Sequence, residues 1–245
     1  MTTIPRPDQV QGHRGASRIA PENTIAAFRA AADQGARWVE FDVALIGDGT
    51  PVVMHDETFA RCAGVEKHLR DVTLADLETI NAGLRHGGRY GGEKVPTLDA
   101  TLVALAEAGL SGNLEIKRHA YQTELAPLVD AIAMALARRP SGLRIAISSF
   151  DLHALRLMRA HDPSIELAVL WSELPADWLE IVRSIPAQAI HIHHTALTPQ
   201  VLAQAGENGV KVRVWTCNDP AEIAPFWPLG LDAVITDDPS LFITG

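Results

Sequence analysis

A parallel (β/α)8 barrel, a TIM barrel, is the fold that the sequence predicts, and three observations lead to it. The chain has 245 residues, near the ~250 typical of such barrels. Short apolar runs of β character alternate with longer runs of helical spacing, eight of the first with seven of the second between them. Polar residues gather at the C-terminal ends of the short runs, the face where these barrels place their active sites. They are His13-Arg14, Glu40 and Asp42, Glu115 and Lys117, Ser148-Ser149, His191 and His193, Trp215 and Asn218, and Asp237. A doubly wound open sheet is the alternative, disfavoured because no glycine-rich dinucleotide loop follows the first strand.

In order, the strands are read at 9–12, 37–43, 112–116, 143–148, 166–170, 189–192, 210–215 and 233–235, where β-branched and aromatic residues concentrate. Apolar residues recur at helical spacing over 22–34, 97–108, 122–137, 152–160, 175–184, 199–206 and 220–226. Two places break the alternation. The second strand runs on to Ile46 and turns at Asp48-Gly49, a strong hairpin signal, before returning through 51–55. With a two-residue turn, Asp42 pairs with His55, which brings that imidazole back beside the carboxylates. Residues 57–96 then hold no barrel unit, only a short helical stretch at 74–80 and a glycine-rich run at 87–92. Such a long interruption predicts an inserted subdomain serving as a lid, within a single domain spanning 1–245.

Composition narrows the function. Apolar residues make up 47% of the chain, enough for a substantial core, and the net charge is −9. That charge argues against nucleic acid and against anionic membrane surfaces as partners. No segment approaches the ~20 apolar residues of a membrane span, and residues 1–10 lack a signal core. Cys62 and Cys217 fit no metal spacing and read as small buried hydrophobes. A cytoplasmic protein is the expectation.

The rim residues carry the chemistry. Glu40 and Asp42 lie two apart, so they share one strand face. Two carboxylates that close cannot both stay ionised without a cation. Either a hard divalent ion, Mg2+ or Ca2+, holds them, with Glu115 as a third oxygen ligand, or neighbouring basic residues do. Arg14 offers a fork for phosphate, while Lys117 either neutralises a phosphate oxygen or pairs with Glu115. His13 and His55 carry imidazole, the side chain whose unperturbed pKa lies near neutrality, which suits an acid and a base, and the place of His55 beside the carboxylates favours it as the acid. His191 and His193 share a face and one or both line the pocket, whereas His194 points away, so a zinc cluster of the three is disfavoured. Trp215 either packs on a small polyol or caps the core. His68, His86, His119, His153 and His161 lack such company and read as surface residues.

His13-Arg14-Gly15, Pro21-Glu22-Asn23-Thr24, Glu40-Phe41-Asp42-Val43, His55-Asp56, Leu114-Glu115-Ile116-Lys117, Ser148-Ser149-Phe150 and Val214-Trp215-Thr216-Cys217-Asn218 together resemble the glycerophosphodiester phosphodiesterase family, in family order across almost the whole chain. The resemblance is to its short bacterial cytosolic members. It implies hydrolysis of glycerophosphodiesters to sn-glycerol 3-phosphate and an alcohol. It also implies Glu40, Asp42 and Glu115 as ligands of one divalent ion, His13 and His55 as acid and base, Arg14 and Lys117 on phosphate, and Trp215 facing glycerol. Arg118-His119 departs from the family pattern, which often has proline after the lysine, and bears on the shape of that loop. A barrel phospholipase would need an apolar or basic rim, and a glycosidase would use its carboxylates as acid and nucleophile. A non-catalytic polyol-phosphate binder would not need both histidines.

Overall fold

The computed structural model describes residues 5–243. In chain order its elements are β1 (Val10–His13), α1 (Ile25–Asp33), β2 (Trp38–Leu45), β3 (Pro51–Val53), β4 (Thr58–Phe59), α2 (Ala60–Ala63), β5 (Val65–His68), α3 (Leu74–Leu77), α4 (Leu98–Glu107), β6 (Ser111–Ile116), α5 (Ala126–Ala137), β7 (Ile145–Ser149), α6 (Leu152–His161), β8 (Glu166–Trp171), α7 (Trp178–Ser184), β9 (Ala189–His193), α8 (Pro199–Glu207), β10 (Lys211–Trp215), α9 (Pro220–Ile223) and β11 (Ala233–Thr236). Strands β1, β2 and β6 to β11 are parallel, and β1 pairs with both β2 and β11, which closes the sheet into a TIM barrel. All eight expected strands are present, with ends moved by a residue or two. Helix starts moved further where a cap decides them. Thr24 accepts from the Ala27 N–H, so α1 begins at Ile25 and leaves Glu22 and Asn23 outside it.

Period-two alternation divides the strands into two layers. Val39, Phe41, Val43, Leu114, Ile116, Ile147, Val169, Ile192, Val214 and Val234 are all buried between sheet and helices, in the main core. Their sequence neighbours face the barrel interior, and unusually many are polar: Glu40, Asp42, Asn113, Glu115, Ser148 and His191 are buried there. At the opposite end Arg213 ties off the interior by donating to Asp232 Oδ2 at 2.7 Å and to Glu166.

The hairpin forms, but its register is one residue from the expected one. Val43 pairs with Val53 and Leu45 with Pro51, and the Met54 N–H donates to Asp42 O, so Asp42 lies opposite Met54 rather than His55. The loop has three residues, Gly47-Asp48-Gly49, with Gly49 in the left-handed region at φ +83°. Asp48 is committed elsewhere: its carboxylate accepts from the Leu74 N–H at 2.7 Å, at the start of α3. A Cβ on Gly47 would stand 2.2 Å from Arg70 O, so residues 69–72 pack directly on the turn and set its length.

Residues 57–96 build a small layer on that hairpin. Phe59, Leu69, Val72, Leu77, Ile80 and Val95 form a second apolar cluster with Ala44, Ile46, Val52 and Met54. The expected helix over 74–80 shortens to α3, started by a Thr73–Asp76 capping box. His119 is a correction: it is buried at 6% exposure and stacks on Tyr121, which packs against this second cluster. Cys62 is another, being half-buried, while Cys217 is buried as expected. No helix among the described residues is long and apolar enough to cross a membrane.

Candidate active site

At the end of β1 the chain turns through two left-handed residues, Arg14 at φ +54° and Gly15 at φ +85°. A Cβ at Gly15 would meet the Ala27 backbone at 2.5 Å, so only glycine fits. For Arg14 the left-handed backbone costs about 1–3 kcal/mol, and the surrounding contacts hold it there. Its N–H donates to Glu40 Oε2 at 3.0 Å, and its carbonyl accepts from the Asn23 N–H. The guanidinium donates to Glu22 Oε1 at 2.8 Å and lies 3.2 Å from Asp42 Oδ2. Asn23 in turn donates its side-chain N–H to Asp42 Oδ2 at 2.9 Å. Glu22 and Asn23 thus aim Arg14 and Asp42.

Asp42 and Glu115 are register partners across β2 and β6, and with Glu40 they bring three carboxylate oxygens within 4.8 Å of one another. All three residues are buried, and Lys117 Nζ reaches Glu115 Oε1 at 3.0 Å and Asp42 Oδ1 at 3.6 Å. Arg14 and Lys117 do not balance the cluster. Burial, then repulsion from Asp42, pushes the Glu115 carboxyl up to about 7, and burial with Asp42 and Glu115 nearby raises Glu40 well above its usual value. Burial works against Asp42 too, but Arg14 and Lys117 hold it below the usual range. Three buried hard oxygen donors short of positive charge fit a divalent ion such as Mg2+ or Ca2+.

Each rim histidine is pinned at Nδ1 by a carboxylate. His13 Nδ1 lies 2.7 Å from Asp237 Oδ1, and His55 Nδ1 lies 2.6 Å from Asp56 Oδ1. Both imidazoles line one cavity with Arg14, Glu40, Glu115 and Lys117. The two carboxylates are held differently. Neutral donors, Ser17 Oγ and Asn218 Nδ2, reach Asp237, whereas the Arg61 guanidinium grips Asp56. Against the cost of burial, His13 above all, with Asn218 and Ser17, holds the Asp237 carboxyl at about 2, and Arg61 with His55 holds Asp56 there too. Burial, aided by Arg14 and Lys117, outweighs Asp42 and Asp56 at His55 and lowers its pKa.

The floor of the cavity carries Asn113, Ser148 and His191, each at most 1% exposed. Asn113 Nδ2 and Oδ1, Ser148 Oγ and His191 Nδ1 have no hydrogen-bond partner among the described residues. Arg213 Nη1 lies 3.4 Å from His191 Nε2, and guanidinium can only donate, which leaves the ring proton on Nδ1. Trp215 lines one wall, its indole N–H donating to His191 O at 3.2 Å and its ring edge-on to Phe150. Of the two candidates His191 lines this cavity and His193 does not. The His193 ring lies edge to face with the Trp215 ring, centroids 5.5 Å apart, and 4.5 Å from that of His194. The three histidines form no cluster: His194 pairs with Glu222 at 2.7 Å, and the nearby Cys217 thiol donates to Asp219 O.

The structure therefore brings together His13, Arg14, Glu40, Asp42, His55, Glu115, Lys117, His191 and Trp215. No residue of 57–96 lines the cavity, although a cover for the substrate was expected there. Sequence reading missed the parts played by Asp237, Arg61, Asn113 and Ser148. Asn113 had a usable signal, two residues before Glu115 on the same strand face.

The family model described as "Glycerophosphoryl diester phosphodiesterase family" matches residues 13–241. The chain belongs to that family. It is therefore an enzyme of the phosphodiester hydrolase class. A glycerophosphodiester phosphodiesterase from Caldanaerobacter subterraneus is 33% identical over 236 residues, covering 96% of each chain. A phosphodiesterase from Oleispira antarctica, solved in complex with the product sn-glycerol-3-phosphate, superposes with a TM-score of 0.90 at 33% identity, over 97% of this chain and 94% of that one. A glycerophosphodiester phosphodiesterase from Thermotoga maritima gives a TM-score of 0.78 at 30% identity, covering 96% of both chains.

Proposed function

We propose that this phosphodiesterase hydrolyses small glycerophosphodiesters to sn-glycerol 3-phosphate and an alcohol, using one divalent ion and two histidines. The observation that carries the reading is the pair of carboxylate-pinned imidazoles facing one cavity above three buried acids. Glu40, Asp42 and Glu115 would hold Mg2+ or Ca2+, which when bound would act as a Lewis acid on the phosphate.

Arg14 and Lys117 flank those carboxylates and receive the phosphate oxygens, Arg14 through its fork. With Nδ1 held by an aspartate, each histidine keeps Nε2 for the substrate. His55, with its lowered pKa, is neutral near pH 7 and takes a proton. His13, whose aspartate is shared with no cation, gives one to the leaving alcohol. These surroundings favour the reverse of the roles suggested by sequence position. The glycerol end lies toward Trp215, its carbon face against the indole and its hydroxyls over the unpartnered atoms of Asn113, Ser148 and His191. The Oleispira relative, solved in complex with sn-glycerol-3-phosphate, supports that compound as the product.

The test is incubation with glycerophosphocholine, glycerophosphoethanolamine and glycerophosphoglycerol, with and without chelator, following glycerol 3-phosphate. Release that chelator abolishes and added Mg2+ or Ca2+ restores is expected. Release of the free alcohol with no glycerol 3-phosphate, or full activity in chelator, overturns the reading.

A further inference from the structure

Arg61 lies in α2, outside the cavity, yet its guanidinium sits between two carboxylates that serve the site. Nε donates to Asp56 Oδ2 at 2.6 Å and Nη2 to Asp56 Oδ1 at 3.1 Å. Nη2 also donates to Glu22 Oε1 at 2.7 Å, and Nη1 to Glu22 Oε2. Asp56 is the partner of His55, and Glu22 is the partner of Arg14. An unbroken chain of contacts therefore runs from His55 through Asp56, Arg61, Glu22 and Arg14 to Asp42.

An arginine about half exposed usually makes ion pairs of little consequence. Two features set Arg61 apart. Its partners are largely shielded, at 23% for the Asp56 side chain and 19% for Glu22, against 49% for Arg61 itself. Each is gripped by two N–H groups, which fixes the plane of the carboxylate as well as its position. Without the guanidinium, Asp56 and Glu22 would confront each other, and Asp56 could no longer hold the His55 ring at one angle.

We infer that Arg61 is a positioning residue for the reaction: it orients Asp56, and through it His55, so that the inserted stretch acts on catalysis by bracing the imidazole rather than by covering the substrate. This rests on the acid–base role proposed for His55. A lysine carries the charge but lacks the fork, so it cannot hold each carboxylate by two N–H groups and fix its plane.

The test compares Arg61→Gln, Arg61→Lys, Asp56→Asn and the Arg61→Gln/Asp56→Asn double variant with the wild type on one glycerophosphodiester. Arg61→Gln should lower kcat about 10–100-fold, part of the ~10²–10⁴-fold an acid–base group supplies, with KM changed less than about threefold. Arg61→Lys should recover only a fraction of that loss. Because Arg61 acts through Asp56, the double variant should be no worse than Asp56→Asn. Losses that multiply, a change confined to KM, or full kcat in Arg61→Gln overturn the inference. If Arg61→Gln does not fold, Arg61→Lys carries the test, and wild-type kcat in Arg61→Lys overturns it. An inactive wild type would refute the proposed function instead, which keeps the two failures apart.

Discussion

Replacing residues 57–96 by a short glycine-serine linker tests how the barrel and its insertion share stability. Eight strands close without that stretch, which at first suggests that a folded barrel would survive. The second apolar cluster says otherwise. Ile46, Val52 and Met54 on the hairpin are at most 3% exposed, and the apolar side chains that cover them come from the insertion. Burying one such side chain is worth about 1.5–3 kcal/mol, so baring three of them withdraws an amount comparable with the ~5–15 kcal/mol that holds a whole domain. The excised chain should lose cooperative unfolding in a thermal melt and bind a hydrophobic dye. Excision combined with Ile46→Thr, Val52→Thr and Met54→Gln should restore much of the transition. An excised chain melting within a few degrees of the wild type would refute the reasoning, since the hairpin face would then need no cover.

Two other outcomes are expected. His13→Ala and His55→Ala should each lower kcat far more than they change KM, and the double variant should be little worse than the poorer single. A nitrophenyl glycerophosphodiester, whose leaving group needs no proton, should rescue His13→Ala and leave His55→Ala impaired; equal rescue of both would refute the split. In chelator, Glu115 is buried with its carboxyl raised from 4.5 to about 7. The folded protein then binds more protons at this group than the unfolded chain between those values, and stability from this group falls as pH rises through that window. Glu115→Gln should therefore stabilise the ion-free protein at pH 8 and do so much less at pH 5, while saturating Mg2+ should reverse the order. A melting difference between the two proteins that does not change with pH would refute it. Asp56 and Asp237, held at about 2, contribute stability that is lost only as pH falls below 4, outside this comparison.

The barrel was legible because β2 writes its two faces plainly: Val39, Phe41 and Val43 alternate with Glu40 and Asp42, and that pattern fixes both strand and site. The hairpin register was not, because Asp48-Gly49 has the chemistry of a two-residue turn. What lengthened the loop was the packing of residues 69–72 against Gly47, a contact no local rule contains. His119 failed for the same reason: its neighbours in sequence are exposed, and its burial comes from Tyr121 and the insertion. Asp56 stood next to His55 and could be read beside it. Asp237 stands 224 residues from His13, and nothing short of the closed barrel pairs them.

That last distance has a consequence for how the enzyme comes into being. His13 sits on the first strand and Asp237 just beyond the last, and the two meet only across the seam where β1 joins β11. A chain still emerging from the ribosome, or one cut short before Asp237, holds every proposed ion ligand and His55 yet lacks the partner of His13. If His13 serves as proposed, hydrolysis on this scaffold therefore waits for the barrel to close, when the first strand meets the last.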